Sequence, residues 1–190
     1  MIDKEIEIQV RIENIQPLLD KLKQGGKFKY QTRQLDEYYT PTDRDFTAVR
    51  PIAEWLRLRD AEGKCSINYK YWHYEADGRS NYCDEHESAV EDMPAMVNLF
   101  NALQFHKIVT VDKIRRAWQY QDWEIAIDKI KDLGDFVEIE YKGSKNPDPK
   151  QETDVMVKFI KDLGCGKIER NYLGYPFQLM FPDEVEWETM

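Results

Sequence analysis

Five pairs of like charges recur at the i, i+2 spacing of a strand: Glu5 and Glu7, Arg57 and Arg59, Glu85 and Glu87, Lys113 and Arg115, Glu138 and Glu140. Side chains two apart leave a strand on the same face, so each pair doubles a charge locally. The acids are hard oxygen donors of the kind that hold Mg²⁺ or Mn²⁺. The bases suit phosphate oxygens, arginine by its bidentate fork. Facing one cavity, the two sets would hold a polyphosphate together with its metal, whereas either set alone would repel itself. Facing water, the same pairs would be the wet side of an open sheet, where Glu and Arg ordinarily lie. The spacing alone leaves both readings open.

The pairs sit in segments that read as strands. Glu5–Ile12 alternates without a break, with Glu5, Glu7, Gln9 and Arg11 on one face and Ile6, Ile8, Val10 and Ile12 on the other. Further strand patterns cover Arg33–Tyr39, Glu54–Asp60, Lys64–Tyr71, Tyr82–Val90, Thr110–Gln121, Trp123–Ile130 and Phe136–Tyr141. Ala61, Glu62 and Gly63 predict a hairpin turn.

Three segments carry helical periodicity. Ile15, Leu18, Leu19 and Leu22 follow Asn14 as N-cap and stop at Gly25 and Gly26. Met93, Met96, Val97, Phe100 and Leu103 follow Asp92 and Pro94, and Val155, Phe159, Ile160 and Leu163 precede Gly164. Many antiparallel strands with few helices predict an α+β fold built around a large sheet or barrel. Trp118 and Trp123 read as packing residues. The acidic end, Pro182–Met190, reads as a loose tail beyond a single domain of residues 1–181.

The chain has 190 residues, 42% hydrophobic and 13% aromatic, enough to bury one core. Its net charge of −9 argues against a nucleic-acid partner, although 27 Lys and Arg leave room for a local anion site. No run of about 18 apolar residues is present, which argues against a membrane span. Met1–Glu5 has no apolar leader, and Cys65, Cys83 and Cys165 lack metal-site spacing, so the expectation is a cytoplasmic protein with reduced thiols. His73, His86 and His106 are scattered and carry no metal pattern.

Glu5, Ile6 and Glu7 with a basic residue soon after resemble the N-terminal E-x-E-x-K signature of the CYTH superfamily, also called triphosphate tunnel metalloenzymes. Further motifs match in order. Leu56-Arg57-Leu58-Arg59 resembles the L-R-x-R strand, Asn68-Tyr69-Lys70 the x-Y-K strand, and Glu85-His86-Glu87 the paired acids. Lys113-Ile114-Arg115 resembles the K-x-R strand. Asp128, Gly134, Glu138 and Glu140 fit a D-x(5)-G-x(3)-E-x-E run, the most specific match, and Arg170-Asn171-Tyr172-Leu173 is similar to the closing R-S-Y-x-x-L.

The resemblance implies an eight-stranded antiparallel β-barrel, a triphosphate tunnel, with about three packing helices. It implies that Arg57, Arg59, Lys70, Lys113 and Arg115 grip the triphosphate. It places Glu5, Glu7, Glu87, Glu138 and Glu140 around Mg²⁺ or Mn²⁺, and catalysis on Glu7, Lys70, Arg115 and Asp128. A homodimer accords with it. One departure stands out: the signature lysine falls on Gln9, which carries no charge. Arg11 lies one repeat along the same face, about 6.6–6.8 Å away, and is the expected substitute.

Two chemistries share such a scaffold. In a cyclase, the ribose 3′-hydroxyl of ATP attacks the α-phosphorus and releases pyrophosphate. In a hydrolase, water attacks the terminal phosphorus of tripolyphosphate, thiamine triphosphate or a nucleoside triphosphate. The Leu35–Tyr39 and Asp43–Phe46 segments resemble the CyaB-type class IV adenylyl cyclase branch, which makes cAMP formation the leading expectation. Triphosphate hydrolysis and non-catalytic nucleotide or polyphosphate sensing are the alternatives.

Overall fold

The computed structural model describes residues 3–190; Met1 and Ile2, the start of the expected domain, lie outside the described residues. Among the described residues, eleven strands form one sheet in which every pairing is antiparallel. They are β1 (Asp3–Glu5), β2 (Glu7–Ile12), β3 (Lys27–Pro41), β4 (Glu54–Ala61), β5 (Lys64–Tyr74), β6 (Ser80–Val90), β7 (Phe105–Tyr120), β8 (Trp123–Ile130), β9 (Gly134–Tyr141), β10 (Ile168–Arg170) and β11 (Glu188–Thr189). The order across the sheet is β1-β6-β5-β4-β3-β7-β8-β9-β2-β10-β11. The α+β class holds, with eleven strands where the resemblance implied eight. The expected first strand is divided at Ile6: β1 pairs with β6, and β2 with β9.

Four α-helices among the described residues join the sheet: α1 (Gln16–Gly25), α2 (Met93–Ala102), α3 (Pro149–Asp162) and the unforeseen α4 (Tyr175–Met180). Asp92 caps α2 by accepting the Ala95 N–H at 2.9 Å, and Asp148 caps α3 through Gln151 at 2.9 Å. Ile15 flanks the start of α1, yet Asn14 Oδ1 still accepts the Gln16 N–H at 3.0 Å. The β4–β5 hairpin turns at Glu62 and Gly63, both at positive φ (53° and 89°), the conformation a two-residue turn needs to match strand twist.

Alternation along the strands decides which face is packed. Ile6, Ile8 and Val10 join Ile125, Val137 and Ile139 beneath Leu18, Leu22, Met156 and Ile160 of α1 and α3. Full burial of each such side chain contributes about 1.5–3 kcal/mol. Leu56 and Leu58 pack outward with Tyr39 and Phe100 of α2. The charged partners of these residues therefore turn to the opposite, inner face.

Several expected boundaries shift. β3 begins at Lys27, not Arg33, because the 16-residue β7 pairs along its whole length. The buried stripe of α3 is Thr153, Met156 and Ile160, leaving Val155 exposed, and Leu103 beyond α2 is also exposed. Pro182–Met190 is not a loose tail. Glu188 pairs with Arg170 across β10–β11 and takes Arg79 Nη2 at 2.7 Å, Trp187 packs on Arg11 and Phe136, and Met190 packs against the helix-covered core. Neutralised acid and half-buried indole together tie the end down. No helix among the described residues is long and apolar enough to cross a membrane.

Candidate functional site

The inner face encloses a cavity of about 220 Å³ lined almost entirely by charged and aromatic side chains. Sheet order sorts the charges. Most of the acids come from β1, β2, β6 and β9, with Glu124 from β8. The bases Arg57, Arg59, Lys113 and Arg115 come from β4 and β7, the two strands that flank β3, while Lys70 of β5 and Lys142 just after β9 stand on the acidic side.

The basic wall is held by two aspartates. Asp36 on β3 receives Arg59 in a bidentate pair, Nε and Nη2 both at 2.6 Å, and lies 3.6 Å from Arg57 Nη1. Asp128 on β8 receives Arg115 Nε at 2.8 Å and Nη2 at 2.5 Å, Lys113 Nζ at 3.2 Å and the Tyr175 hydroxyl at 3.1 Å. Burial alone would raise both carboxyls, but Arg57 and Arg59 at Asp36, and Arg115 and Lys113 at Asp128, outweigh it and hold them well below the usual range. Burial, reinforced by Arg115, pushes Lys113 down to about 8. Arg57 Nε is buried without a hydrogen-bond partner, a donor left unspent in the cavity wall.

The acidic wall is crowded. Across β2–β9 Glu7 stands opposite Glu140 and Gln9 opposite Glu138. Burial, with Glu5, Glu138 and Glu140 nearby, raises Glu7 well above its ordinary value even against the pull of Lys70. Burial and Glu5 raise Glu140 to about 8. Glu5, by contrast, is lowered to about 2: burial opposes ionisation, but contact with the Lys70 ammonium prevails.

Most of the predicted residues meet in this cavity. Glu5, Glu7, Arg57, Arg59, Lys70, Glu87, Lys113, Arg115, Glu138 and Glu140 all line it. Lys70, however, lies among the acids rather than the bases, touching Glu5 and standing 3.7 Å from Glu7 and 3.9 Å from Glu85. Glu87 sits apart from the other acids, half exposed, taking Ser66 Oγ at 3.1 Å one strand repeat beyond Glu85. Asp128 is wholly buried behind Arg115 and does not line the cavity.

Arg11 is the expected residue that the structure takes elsewhere. Its guanidinium stacks on Trp187 (4.1 Å) and Phe136 (4.8 Å) and donates to Leu133 O at 3.1 Å, outside the cavity lining. Aromatic faces and a free carbonyl at the strand end capture it, so it does not replace the missing lysine.

Glu124 on β8, which lines the cavity, and Asp36, Lys142, Tyr175 and Gln178 all escaped the sequence reading. Asp36 shares the inward alternation of Gln34 and Tyr38, which was signal enough. Lys142 continues the Glu138, Glu140 step by one repeat and pairs with Glu140. Tyr175 and Gln178 come from α4, whose six residues carry no readable period.

The donor set fits a hard divalent cation: it is all carboxylate oxygen, and Glu7 and Glu140 are raised by burial and by the like charges around them, which a cation would relieve. Among the described residues no three His, Cys, Asp or Glu side chains form a ready-made cage; the Lys70 ammonium stands between Glu5, Glu7 and Glu85.

The profile of the CYTH domain matches residues 3–172. This chain is a CYTH domain protein. A Methanocaldococcus jannaschii protein named "Putative adenylate cyclase MJ0240" is 32% identical over 173 residues, 89% of this CYTH chain and 96% of its own length. Two solved structures share the CYTH fold. The PH1819 protein of Pyrococcus horikoshii has a TM-score of 0.75 at 23% identity, covering 95% of this chain and 99% of its own. A Hippeastrum protein described as a "Putative adenylyl cyclase" that "reveals a dominant" triphosphatase activity has a TM-score of 0.67 at 17% identity, covering 96% and 97%. CYTH proteins are metal-dependent and act on small-molecule triphosphates.

Proposed function

We propose that this CYTH protein is a metal-dependent adenylyl cyclase of CyaB type, converting ATP to cAMP and pyrophosphate inside a closed eight-stranded tunnel. Closure is supported by the division at Ile6. Counted as one strand, β1 and β2 link β6 to β9, giving a ring with β5, β4, β3, β7 and β8. The observation that carries the functional reading is the basic wall: Arg57, Arg59, Lys113 and Arg115 are set by Asp36 and Asp128 against facing carboxylates.

In this reading the four cations bind the phosphoryl oxygens and keep pyrophosphate in place as the bond from the α-phosphorus breaks. Glu5, Glu7, Glu138 and Glu140 would hold Mg²⁺ or Mn²⁺, which when bound supplies charge neutralisation at the phosphoryl oxygens. The ribose 3′-oxygen forms the new bond to phosphorus, and its proton passes to the acidic wall, where we assign it to Glu7. Lys70 balances the acids. Asp128 acts through Arg115 and Lys113 without touching the ligand, and Tyr175 fixes Asp128.

Triphosphate hydrolysis is the second reading, favoured by the activity named for the Hippeastrum neighbour. Incubation with ATP, thiamine triphosphate or tripolyphosphate and Mg²⁺ or Mn²⁺ separates them. cAMP with pyrophosphate supports the cyclase. Phosphate release replaces it with the hydrolase, and binding without product leaves a sensor.

A further inference from the structure

Gln9 occupies the signature lysine position, lines the cavity, and has its oxygen already spent: Oε1 accepts Gln178 Nε2 at 3.1 Å. Gln178, on α4, is 2% exposed. Which way its amide points is settled by its other partners. Nε2 also donates to Leu173 O at 3.0 Å, and a backbone carbonyl can only accept. Asn171 Oδ1, at 3.4 Å, is likewise fixed as an acceptor because it takes the Leu173 N–H at 2.9 Å. Turning the Gln178 amide over would set its oxygen against both of these fixed acceptors. Its own Oε1 is accordingly buried without a partner, an unmet acceptor that its two N–H donors, shared among Gln9, Leu173 and Asn171, outweigh.

That fixed amide fixes Gln9 in turn. With Oε1 held by Gln178, the two N–H donors of Gln9 Nε2 remain, and among the described residues they meet no protein acceptor. We propose that Gln178 is a positioning residue that turns the Gln9 carboxamide so its N–H donors, not its oxygen, meet an anionic oxygen of the bound triphosphate. A neutral, oriented donor thereby stands where a lysine charge would otherwise be. This rests on the triphosphate reading above and adds the recognition element at position 9.

The test is calorimetric binding of tripolyphosphate, in buffer with chelator, to wild type, Gln9→Leu, Gln178→Leu, the double variant and Gln178→Glu. Either leucine variant is expected to weaken binding about tenfold, the worth of one hydrogen bond. The double variant is expected to be no weaker than Gln9→Leu alone, because Gln178 acts only through Gln9. Gln178→Glu, nearly isosteric, keeps an acceptor in place, captures Gln9 Nε2 and turns Oε1 toward the anion; it is expected to lose more affinity than Gln178→Leu. A merely structural Gln178 would lower Tm without that ordering. Equal affinity in all variants, or losses at 9 and 178 that multiply, overturns the proposal while leaving triphosphate binding intact. Wild type that fails to bind tripolyphosphate removes the underlying reading and the proposal with it. If Gln178→Leu does not fold, the comparison of Gln178→Glu with wild type and Gln9→Leu decides: affinity equal to wild type refutes it.

Discussion

Asp128 grips Arg115 through both carboxylate oxygens, at 2.8 and 2.5 Å, with none of the aspartate exposed. The same relationship is built a second time between Asp36 and Arg59. Each aspartate keeps cations in a low-dielectric wall that would otherwise repel one another when no ligand is bound. Removing one partner of such a buried pair strands the other charge. Asp128→Ala is expected to cost about 3–5 kcal/mol of folding stability, read from the urea midpoint. A wild-type midpoint would mean that Arg115 and Lys113 find other partners.

The acidic wall gives stability a pH dependence of defined sign. Glu140 is raised to about 8 by burial and by Glu5, so between its ordinary value of 4.5 and 8 the folded chain holds a proton that the unfolded chain has released. Stability from this group is complete below pH 4.5 and is lost as pH rises through 8. Glu140→Gln removes the titration, so its urea midpoint should fall less than wild type between pH 5 and 8. A parallel fall in both proteins would assign the dependence to another group.

Glu5 runs the other way. Lowered to about 2 in the fold by contact with Lys70 despite burial, it contributes stability above its ordinary value of 4.5 that disappears as pH falls toward 2. Glu5→Gln is expected to unfold at a lower urea concentration than wild type at pH 6, with the gap closing near pH 2. A constant gap would show that lost packing, not lost charge, is responsible.

Glu138 and Glu140 face the cavity from β9 opposite Gln9 and Glu7. Glu138→Ala or Glu140→Ala is expected to abolish Mg²⁺- or Mn²⁺-dependent turnover while circular dichroism stays that of wild type. Arg115 keeps its bidentate Asp128 when Glu138 is removed, which is why the basic wall should survive. Unchanged turnover in either variant would take that residue out of the metal site.

Strand alternation showed which residues share a face, and the resemblance to the CYTH motifs is what gathered those faces into one site. Ile6, Ile8 and Val10 had to face a core, so Glu5, Glu7 and Gln9 had to face the other way, and the same logic located Arg57, Arg59, Lys113 and Arg115. Alternation says which face a residue takes, but not what it meets at the strand's end. Arg11 shares the face of Glu7, yet Trp187, more than 170 residues later in the chain, draws it out of the cavity. Tyr175 and Gln178 were invisible for a related reason: α4 is too short for a period, and its two contacts, to Asp128 and Gln9, are long-range. The tail misled because its acids look solvated until Arg79 and Arg170 are seen beside Glu188.

Gln9→Lys restores the signature charge and tests how that end of the cavity works. Arg11 is engaged with Trp187 and Phe136 and cannot duplicate the new ammonium. The lysine adds a full opposite charge to the hydrogen bond that the amide already makes to the anion, so Gln9→Lys is expected to tighten tripolyphosphate binding about fivefold, roughly 1 kcal/mol. The gain should shrink with added salt, because an ion pair is screened and an amide donor is not. Titrations of both proteins at low and high salt measure it. Weaker binding in the lysine variant would mean that the cost of burying an ammonium against Gln178 Nε2 exceeds what the extra charge contributes.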